Sequence, residues 1–600
     1  MPPPPEPSLE LGVIGNCQVS ALVDELGRMV WACMPRFDSN PVFCALLKGD
    51  EHPVERGIFE VVLEDFVRAE QHYVTNTPIL ETLLHDAHGG CVKIVDFAPR
   101  FEQFERTFHP VMFIRQLVPV SGNPLVTVRL RPAGNYGAED ARQTFGSNHV
   151  RYVLPDLTLR LTTDASLTYV REERPFRLAQ PVSFILGPDE SLRESVAHTS
   201  RLYFAHTRSY WRDWVRGLAV PFEWQEAVIR AAITLKLCSF DDTGAIIAAM
   251  TSSIPEAPGS ARNWDYRYCW LRDSYFVVHA LNRLGATLTM EAYLGWILNV
   301  AASGDGDGLQ PVYGISGEAD LSETIVAHLP GYRGMGPVRV GNQAFKQVQN
   351  DVYGAVVLSS AQSFFDRRLT TAAGKEQLEL LEDIGRRAFA LFDQPDAGIW
   401  EYRGRARVHT FSSMMCWAAC DRLARISAHL GDAGRARDWR AKAGHIHGEI
   451  CAQAWDAEQG CFTESFGGRS LDASMLLISD LGFLDKNDPR FRSTVECLEK
   501  HLRRGLHMFR YGEPDDYGEP ETAFNICTFW YINALAEIGR TDEARELFEA
   551  MLKCRTRLGL LSEDVNAHNG ELWGNFPQTY SLVGIILGAI RLSQPWEDAF

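Results

Sequence analysis

The hydrophobic pattern of this chain changes its period once, near residue 220, and this change constrains the fold more than any other feature. Between residues 9 and 188, short stretches alternate apolar and polar side chains and are separated by Gly, Pro, Asn and Asp, which is typical of antiparallel strands. From about residue 223 onward, apolar residues recur with the helical period of about 3.6. The sequence therefore predicts a β domain followed by an α domain.

The regular spacing of the strand patterns favours an antiparallel β-sandwich for residues 1–188. Residues 189–219 are predicted to form a linker helix, with Asp189 or Ser191 as its cap. Residues 220–600 carry about twelve helical segments joined by alternating long and short loops, and the long loops hold most of the aromatic, glycine and acidic residues. Helical hairpins with functional loops on one side favour a closed (α/α)6 barrel, because no short repeat of a solenoid is present. The predicted segments are 223–237, 273–284, 289–302, 343–365, 375–392, 411–429, 433–455, 471–481, 489–502, 521–538, 541–553 and 579–592.

Bulk properties exclude several classes of function. A chain of 600 residues is too long for one hydrophobic core, and its net charge of −18 argues against a nucleic-acid partner and fits a small neutral substrate. No apolar stretch has the length of a membrane span, and the first residues lack the pattern of a secretion signal. The thirteen cysteines show no CxxC or zinc spacing, which predicts free thiols, a cytoplasmic location and neither metal nor cofactor.

Residues 263–273 combine four aromatic residues, two arginines and two aspartates immediately before a helical pattern. A helix start needs only a capping residue. Aromatic faces interspersed with Asp and Arg suit a pocket for a hydroxyl-rich ring, since the rings stack on C–H faces and the charged groups bind hydroxyls. The alternative is a buried cluster of ion pairs beneath the end of a helix.

Three further loops are candidates for binding. Residues 331–342 contain several glycines with the donors Arg333, Arg339 and Asn342, but no phosphate-loop motif. Residues 305–308 hint at calcium, although the remaining ligands of a calcium loop are missing. Residues 31–39, with Arg36 and Asp38, are either a structural turn or a loop that leans over the active site of the next domain.

Two carboxylates lie on long loops far apart in the chain. Glu401 stands between Trp400 and Tyr402, and apolar walls would raise its pKa and keep it protonated as a general acid requires. Alternatively, Glu401 simply pairs with Arg403. Glu563, next to Asp564 on a loop predicted to be polar, would remain ionised. Two carboxylates across a cavity lined by aromatic residues are typical of glycoside hydrolysis.

These motifs resemble glycoside hydrolase family 15, in its bacterial glucoamylase and trehalase-like branch. The resemblance spans nearly the whole chain and implies a β-sandwich, an (α/α)6 barrel and inverting hydrolysis of α-glucosides without a cofactor. The matching motifs lie at residues 15–16, 21–23, 31, 35–39, 263–273, 331–333, 337–342, 400–403, 561–563 and 574–578.

Carried over by motif, the resemblance assigns Glu401 as the general acid and Glu563 as the general base. Arg272 and Asp273 would hold hydroxyls of the non-reducing glucose, and Trp270 would form a wall of that pocket. The other residues expected to bind substrate are Trp400, Arg403, Arg339, Asn342 and Trp573, with Arg36 and Asp38 closing the far side.

The substrate remains open between several α-glucosides. Trehalase-like members often carry a lysine where this chain has Ser413, so maltose, isomaltose and short α-glucans follow closely behind trehalose. Other functional classes are a carbohydrate-binding protein without catalysis, a phosphorylase and a purely structural toroid. The chain could also form a homo-oligomer.

Overall fold

A computed structural model describes residues 7–49, 54–303, 308–369 and 373–599 of the chain. The calcium expectation falls mainly on residues 305–307, which lie outside the described residues. Below, the N-terminal region means residues 7–188 and the helical region means residues 220–599.

The N-terminal region consists of antiparallel strands, as the alternating pattern predicts. One sheet has the order β1-β2-β3-β5-β12-β18 with β4 beside β3, and the other has the order β15-β16-β17-β19-β11-β8-β7-β6. The strands are β1 (Gly12–Gly15), β2 (Ser20–Val23), β3 (Met29–Cys33), β4 (Pro41–Phe43), β5 (Ile58–Leu63), β6 (Phe66–Tyr73), β7 (Leu80–Asp86), β8 (Cys91–Phe97), β9 (Phe101–Gln103), β10 (Arg106–Phe108), β11 (Phe113–Ser121), β12 (Leu125–Arg131), β13 (Ala133–Gly134), β14 (Glu139–Asp140), β15 (Arg142–Phe145), β16 (His149–Val153), β17 (Thr158–Thr163), β18 (Phe176–Arg177) and β19 (Val182–Pro188).

The two sheets share one apolar core. Phe59 on β5 meets Phe184 on β19 with ring centroids 6.2 Å apart. Arg115 on β11 crosses this core and is fully buried, but its charge is compensated by a 2.7 Å contact between its Nε and Asp96 Oδ1. Arg115 also donates hydrogen bonds to the backbone carbonyls of Phe59 and Gly27. A buried guanidinium with all its partners in place fixes the relative position of the strands that it joins.

Two helices accompany this region: α1 (Leu167–Arg171) and α2 (Val196–Arg216). Helix α2 begins later than predicted, because Ser195 is its cap and accepts a hydrogen bond from the His198 amide. Asp189 instead accepts a 2.6 Å hydrogen bond from Arg151 Nε, so the predicted caps, Asp189 and Ser191, are wrong. Helix α2 packs against the second sheet, where Ser200 Oγ accepts from Gln116 at 2.8 Å.

The helical region follows the predicted segments closely, with two exceptions. Residues 343–365 form α6 flanked by two 3-10 turns, and residues 471–481 contain only the 3-10 helix Ala473–Leu477, whose cap is Asp472. The helices are α3 (Gln225–Leu237), α4 (Leu271–Arg283), α5 (Thr287–Ser303), α6 (Asp351–Ala361), α7 (Lys375–Leu391), α8 (Thr410–His429), α9 (Ala433–Gln453), α10 (Pro489–Leu502), α11 (Asn525–Glu537), α12 (Thr541–Lys553) and α13 (Thr579–Leu592).

Six of these elements contact one another in a closed ring: α4, α6, α8, the 3-10 helix Ala473–Leu477, α11 and α13, which returns to α4. Helices α5, α7, α9, α10, α12 and α3 pack against members of this ring. Loops that carry predicted site residues lead into the N-terminal ends of α4, α6, α8 and α13. Among the described residues, none of the helices combines the length and the apolar character that crossing a membrane requires.

Short strands of two residues pair within the loops of the helical region. They are β20 (Cys269–Trp270), β21 (Val312–Tyr313), β22 (Thr324–Ile325), β23 (Arg339–Val340), β24 (Trp455–Asp456), β25 (Cys461–Phe462), β26 (Arg503–Arg504), β27 (His507–Met508), β28 (Ala523–Phe524), β29 (Asp564–Val565) and β30 (Leu572–Trp573). Strand β20 leads directly into α4, and β28 leads directly into α11. These pairs therefore anchor the loops at the ends of the ring helices.

The N-terminal and helical regions pack against each other through a common apolar core. Phe37 meets Phe240 with ring centroids 5.6 Å apart. Trp31 donates from Nε1 to the Met250 carbonyl at 2.8 Å. The loop of residues 31–39 therefore contacts the helical region directly.

Candidate active site

A cavity opens at the N-terminal ends of α4, α11 and α13, among the loops that lead into them. Eight of the predicted residues line it: Trp270, Arg272, Asp273, Asn342, Trp400, Glu401, Arg403 and Glu563. Its other lining residues include Glu256, Arg262, Trp264, Tyr266, Gln347, Tyr402, Arg510, Tyr511, Asp515, Asp516, Phe524, Trp530 and Tyr580. The wall thus combines aromatic faces with carboxylates and guanidinium groups, which is the chemistry that binds a hydroxyl-rich ring.

Glu401 lies in a tight turn after α7, with a φ of 60°. Three donors converge on its Oε1 atom: Trp270 Nε1 at 2.7 Å, Arg272 Nη2 at 3.2 Å and Gln349 Nε2 at 3.2 Å. The prediction that apolar walls enclose this carboxyl is therefore wrong, because polar donors surround that oxygen.

The predicted alternative, an ion pair between Glu401 and Arg403, is not observed. Arg403 Nη2 lies 3.1 Å from Glu323 Oε2, and its guanidinium stacks over the Trp264 ring at 4.3 Å. Arg403 therefore lines the cavity as part of its rim and leaves the Glu401 carboxyl to other donors.

Glu563 is buried, with 1% of its surface exposed. Its Oε1 accepts a 2.6 Å hydrogen bond from the Tyr266 hydroxyl, and its Oε2 lies 3.4 Å from the Asn575 amide. Burial, followed by the negative charges of Glu256 and Asp564, raises the pKa of Glu563 well above its ordinary value. The prediction of a polar loop that keeps this carboxyl ionised is thus contradicted.

The strand pairing around β29 explains why Glu563 is buried. Glu563 immediately precedes β29, which pairs with β28 on one side and β30 on the other. Gly574 follows β30 with a φ of 76°, and a Cβ atom at this position would lie 2.6 Å from Glu563 Cβ. Only glycine fits at residue 574, because the backbone there is left-handed and a side chain would collide with that of Glu563.

Arg272 and Asp273 lie in the first turn of helix α4 and line the cavity. Arg272 donates from Nη1 to Gln349 Oε1 at 2.7 Å and to Asp351 Oδ2 at 3.0 Å. Burial raises the pKa of Asp273 to about 7, although the nearby charge of Arg272 lowers it. Arg272 and Asp273 are nearly inaccessible, with 4% and 7% of their surfaces exposed, and both line the cavity.

Several lining residues were absent from the sequence-based prediction. Glu256 receives a hydrogen bond of 2.9 Å from Trp264 Nε1 and pairs with Arg510. Arg262 forms a two-bond contact with Asp515, at 2.8 Å and 2.6 Å. Glu256 and Arg510 lie 254 residues apart, so no local motif could have joined them. Tyr266 belongs to a motif that the sequence analysis singled out, and its role appears only with its contact to Glu563.

Four predicted residues do not line the cavity. Arg339 pairs with Glu323 at 2.6 Å, and Trp573 packs against Tyr332 with ring centroids 6.0 Å apart. Trp573 is the cross-strand partner of Asp564, and neither residue lines the cavity. The other two residues, Arg36 and Asp38, pair with each other at 2.6 Å.

The loop that carries Arg36 and Asp38 reaches the helical region beside the cavity. Arg36 donates to Glu318 Oε1 at 2.9 Å and to Ser316 Oγ at 2.8 Å. The expectation that this pair closes the far side of the pocket is therefore corrected, since these contacts fix it to residues 316–318 outside the lining.

No group of three or more His, Cys, Asp or Glu side chains in the described ranges could hold a metal ion. His409 is buried, and burial lowers its pKa to about 4. Burial also lowers the pKa of His507, whereas His568 is exposed. The two buried histidines are therefore neutral at pH 7, and their position gives no indication of a ligand role.

Comparisons with known proteins identify the family of this chain. The model of the family described as "Glycosyl hydrolases family 15" matches residues 224–587, and that described as "Trehalase-like, N-terminal" matches residues 6–155. A protein of Mycolicibacterium smegmatis named "Trehalase" is 32% identical, over 99% of this chain and 92% of the relative. A "Trehalase" of Thermoplasma volcanium is 29% identical, over 97% of this chain and 93% of the relative.

A solved structure shares the fold over nearly the whole chain. The crystal structure of a bacterial glucoamylase complexed with acarbose superposes with a TM-score of 0.67 at 13% identity, covering 98% of this chain and 94% of the other. The family match covers more than half of the chain and contains both glutamates of the cavity. This chain is therefore a glycoside hydrolase that belongs to glycosyl hydrolase family 15.

Proposed function

We propose that this chain hydrolyses trehalose or a short α-gluco-oligosaccharide from its non-reducing end, with inversion at the anomeric carbon. The observation that carries this proposal is the pair of carboxyls in one aromatic cavity, each held by a different aromatic donor: Glu401 by Trp270 and Glu563 by Tyr266. Relatives named trehalase, at about 30% identity over nearly the whole chain, support the choice of trehalose as first substrate.

In the proposed mechanism, Glu401 is the general acid. Three donors occupy its Oε1, so its Oε2 would carry the proton that passes to the glycosidic oxygen. Arg272 belongs to this donor set and would keep the carboxyl oriented as it becomes negative. Its companion Asp273 would accept a hydrogen bond from a glucose hydroxyl.

Glu563 is the general base in this mechanism and removes a proton from water on the opposite face of the sugar. Its raised pKa makes the ionised form a stronger base near neutral pH. The hydrogen bond from Tyr266 lowers the pKa of Glu563, against the effect of burial, and orients the carboxylate. An inverting mechanism needs room for that water, so the two carboxyls should be about 6.5–9.5 Å apart when substrate is bound.

The opposite assignment of the two glutamates has one observation in its favour, because burial of Glu563 favours the protonated form that an acid needs. Alanine variants distinguish the two. If Glu401 is the acid, Glu401→Ala should retain activity on α-glucosyl fluoride, whose leaving group needs no proton. If Glu563 is the base, azide should restore activity to Glu563→Ala. If azide instead restores activity to Glu401→Ala, and Glu563→Ala retains activity on α-glucosyl fluoride, Glu563 is the acid and Glu401 is the base.

The proposed architecture is a β-sandwich over residues 1–188, a linker over 189–219 and an (α/α)6 barrel over 220–600. The closed ring of six inner elements, with six helices packed against it, supports the barrel. The shared core of the two N-terminal sheets supports the sandwich. The predicted substrate-binding residues that line the cavity are Trp270, Arg272, Asp273, Asn342, Trp400 and Arg403.

A substrate panel tests the function. Purified protein should release glucose from trehalose faster than from maltose or isomaltose, with or without added phosphate. Faster cleavage of long soluble starch than of any disaccharide would contradict the proposed order. Glucose 1-phosphate formation that depends on phosphate would indicate a phosphorylase. Binding without any release would indicate a carbohydrate-binding protein.

A further inference from the structure

Arg267 lies in the middle of the aromatic motif, yet it faces away from the cavity. Trp264, Tyr266 and Trp270 line the cavity, whereas Asp265 and Arg267 do not. The segment is extended here, since Tyr266 accepts a backbone hydrogen bond from Ala249 and Tyr268 accepts one from Ala248. In extended chain, successive side chains point to opposite sides. Over residues 264–267, Trp264 and Tyr266 therefore point toward the cavity, and Asp265 and Arg267 point to the other side, where Arg267 meets the N-terminal region.

The Arg267 guanidinium is fully buried, with 0% of its side chain exposed. It makes a two-bond contact with Asp265, in which Nε lies 2.8 Å from Oδ1 and Nη2 lies 2.6 Å from Oδ2. A buried charge of this kind requires all its partners, because an unpaired buried guanidinium is strongly unfavourable. The position of Arg267 is thus defined by the groups that surround it.

The remaining partners of Arg267 all come from the N-terminal region. Nη2 donates to the Tyr136 hydroxyl at 2.6 Å, and Nη1 donates to the Ser39 carbonyl at 2.9 Å. Nη1 also lies 3.5 Å from Cys33 Sγ. Ser39 ends the loop of residues 31–39, and Tyr136 belongs to the turn after β13. Two separate segments of the N-terminal region therefore hold one side chain of the helical region.

The turn that presents Tyr136 has an unusual backbone. Asn135 and Tyr136 have φ angles of 47° and 54°, in the left-handed region that bulky residues rarely adopt. Such conformations persist where the surrounding structure fixes them, and they cluster at functional sites. The Tyr136 side chain is buried with its hydroxyl on Arg267, so the contact and the strained turn occur together.

We infer that Arg267 is a positioning residue through which the N-terminal region sets the hydrogen bonds of the two cavity carboxyls, an inference that rests on the proposed function. The residue before Arg267 is Tyr266, which donates to Glu563. Three residues after Arg267 is Trp270, which donates to Glu401. A shift of the anchored segment moves both donors together. The N-terminal region is then part of the catalytic apparatus, although none of its residues lines the cavity.

Two variants test this positioning. Tyr136→Phe removes one hydroxyl from the surroundings of Arg267, and Arg267→Lys keeps the charge but loses the fork that binds Asp265. We expect kcat to fall about tenfold in the first variant and about a hundredfold in the second, because small misplacements of catalytic groups are costly. KM should remain within about twofold, since the contacts with substrate are retained.

Tyr73→Phe is the matched control. Tyr73 is also a tyrosine of the N-terminal region whose ring packs against an arginine of the helical region, Arg230, at 3.6 Å. Its hydroxyl binds the Val13 backbone, far from the aromatic motif in sequence. This variant should lower the melting temperature without changing kcat. If Tyr136 and Arg267 have a purely structural role, their variants should also show a lower melting temperature with unchanged kcat. That result would overturn the inference.

Crystal structures of the variants supply a readout that does not depend on activity. The distance between Tyr266 Oη and Glu563 Oε1 should lengthen beyond hydrogen-bonding range in Arg267→Lys and should stay near 2.6 Å in Tyr73→Phe. An unchanged distance with unchanged kcat contradicts the positioning role. If the wild-type protein hydrolyses no α-glucoside, the proposed function fails, and this distance still decides the positioning.

Discussion

The ring of Tyr266 meets the ring of Trp270 edge to face, with centroids 5.3 Å apart. The Tyr266 hydroxyl donates to Glu563, whereas Trp270 Nε1 donates to Glu401. The two residues are four positions apart in the chain, whereas Glu401 and Glu563 come from distant loops. A single short segment thus orients both carboxyls of the cavity. Changes to this segment should affect catalysis more than substrate affinity.

Tyr266→Phe should lower kcat by about 10-fold to 100-fold and change KM little. The variant removes the hydroxyl that holds Glu563 but keeps the ring beside Trp270. The loss of one hydrogen bond to a charged group corresponds to about 1.5–3 kcal/mol. Steady-state kinetics on the preferred disaccharide measure it. Tyr73→Phe is the control, because that hydroxyl binds the Val13 backbone in the N-terminal region and the residue does not line the cavity. Equal effects in both variants would contradict this role of Tyr266.

Asp273→Ala should nearly abolish activity. The variant removes a buried carboxyl 3.8 Å from Arg272 Nε and leaves a glucose hydroxyl without its partner. The expected loss in kcat/KM corresponds to about 2–5 kcal/mol of transition-state stabilisation. Asp189→Asn, at an ion pair on the surface of the N-terminal region, should leave kcat/KM unchanged. Kinetics like those of the wild type in Asp273→Ala would remove this residue from the substrate site.

The pH dependence of activity should reflect the raised pKa of Glu563. The groups that face this carboxyl are Tyr266, Glu256, Asp564 and Arg510, and Glu256 is the charge that raises its pKa most. A base must be ionised, so the acid limb of kcat/KM should lie well above the ordinary pKa of a glutamate.

Glu256→Gln removes a negative charge and should therefore move the acid limb to lower pH. The measurement is the pH profile of kcat/KM for both proteins on one substrate. A limb that moves to higher pH, or stays in place, would show that Glu563 does not set it.

Asp472→Asn should change how stability depends on pH. Asp472 accepts a 2.7 Å hydrogen bond from Trp400 Nε1, and burial raises its pKa to about 7. The native state therefore binds this proton more tightly than the unfolded chain, whose aspartate has a pKa of about 3.9. Its contribution to stability is fully present below that value and is lost as the pH rises toward 7.

The asparagine variant lacks this titration and can still accept from Trp400. Relative to wild type, its free energy of unfolding should rise by about 1–4 kcal/mol between pH 4 and pH 7.5, since one pKa unit is about 1.4 kcal/mol. Urea unfolding at the two pH values measures the difference. If the free energy of unfolding changes equally with pH in both proteins, the pKa of Asp472 is not raised in the native state.

Much of the fold could be predicted from the sequence because the period of the apolar residues reports directly on local structure. The change of period separates β19 from α3, and the helix α10 agrees with its predicted bounds, 489–502. The predicted segment 471–481 contains only the 3-10 helix Ala473–Leu477, because a short apolar run fits either kind of helix. Its geometry depends on the hydrogen bond that the Ser474 amide donates to Asp472 Oδ1 and on the backbone bridge between Asp472 and Tyr511.

The candidate site could be predicted only where a motif carries it. Residues 263–273 and the two glutamates are such cases. The environments of those glutamates could not be predicted, because neighbours in sequence are not neighbours in space. Two aromatic residues flank Glu401 in the chain, but its hydrogen bonds come from Trp270, Arg272 and Gln349. Glu563 lies in a polar sequence but is buried by the pairing of β28, β29 and β30.

If Glu401 and Glu563 hydrolyse an α-glucoside with inversion, the anomeric form of the first product shows it most directly. Proton NMR, recorded before mutarotation, distinguishes α-glucose from β-glucose as they are released. With trehalose, inversion at one anomeric centre gives equal amounts of the two anomers, and with maltose it gives β-glucose from the non-reducing end. Release of α-glucose alone from trehalose, or a trapped covalent glucosyl-enzyme, would contradict the account.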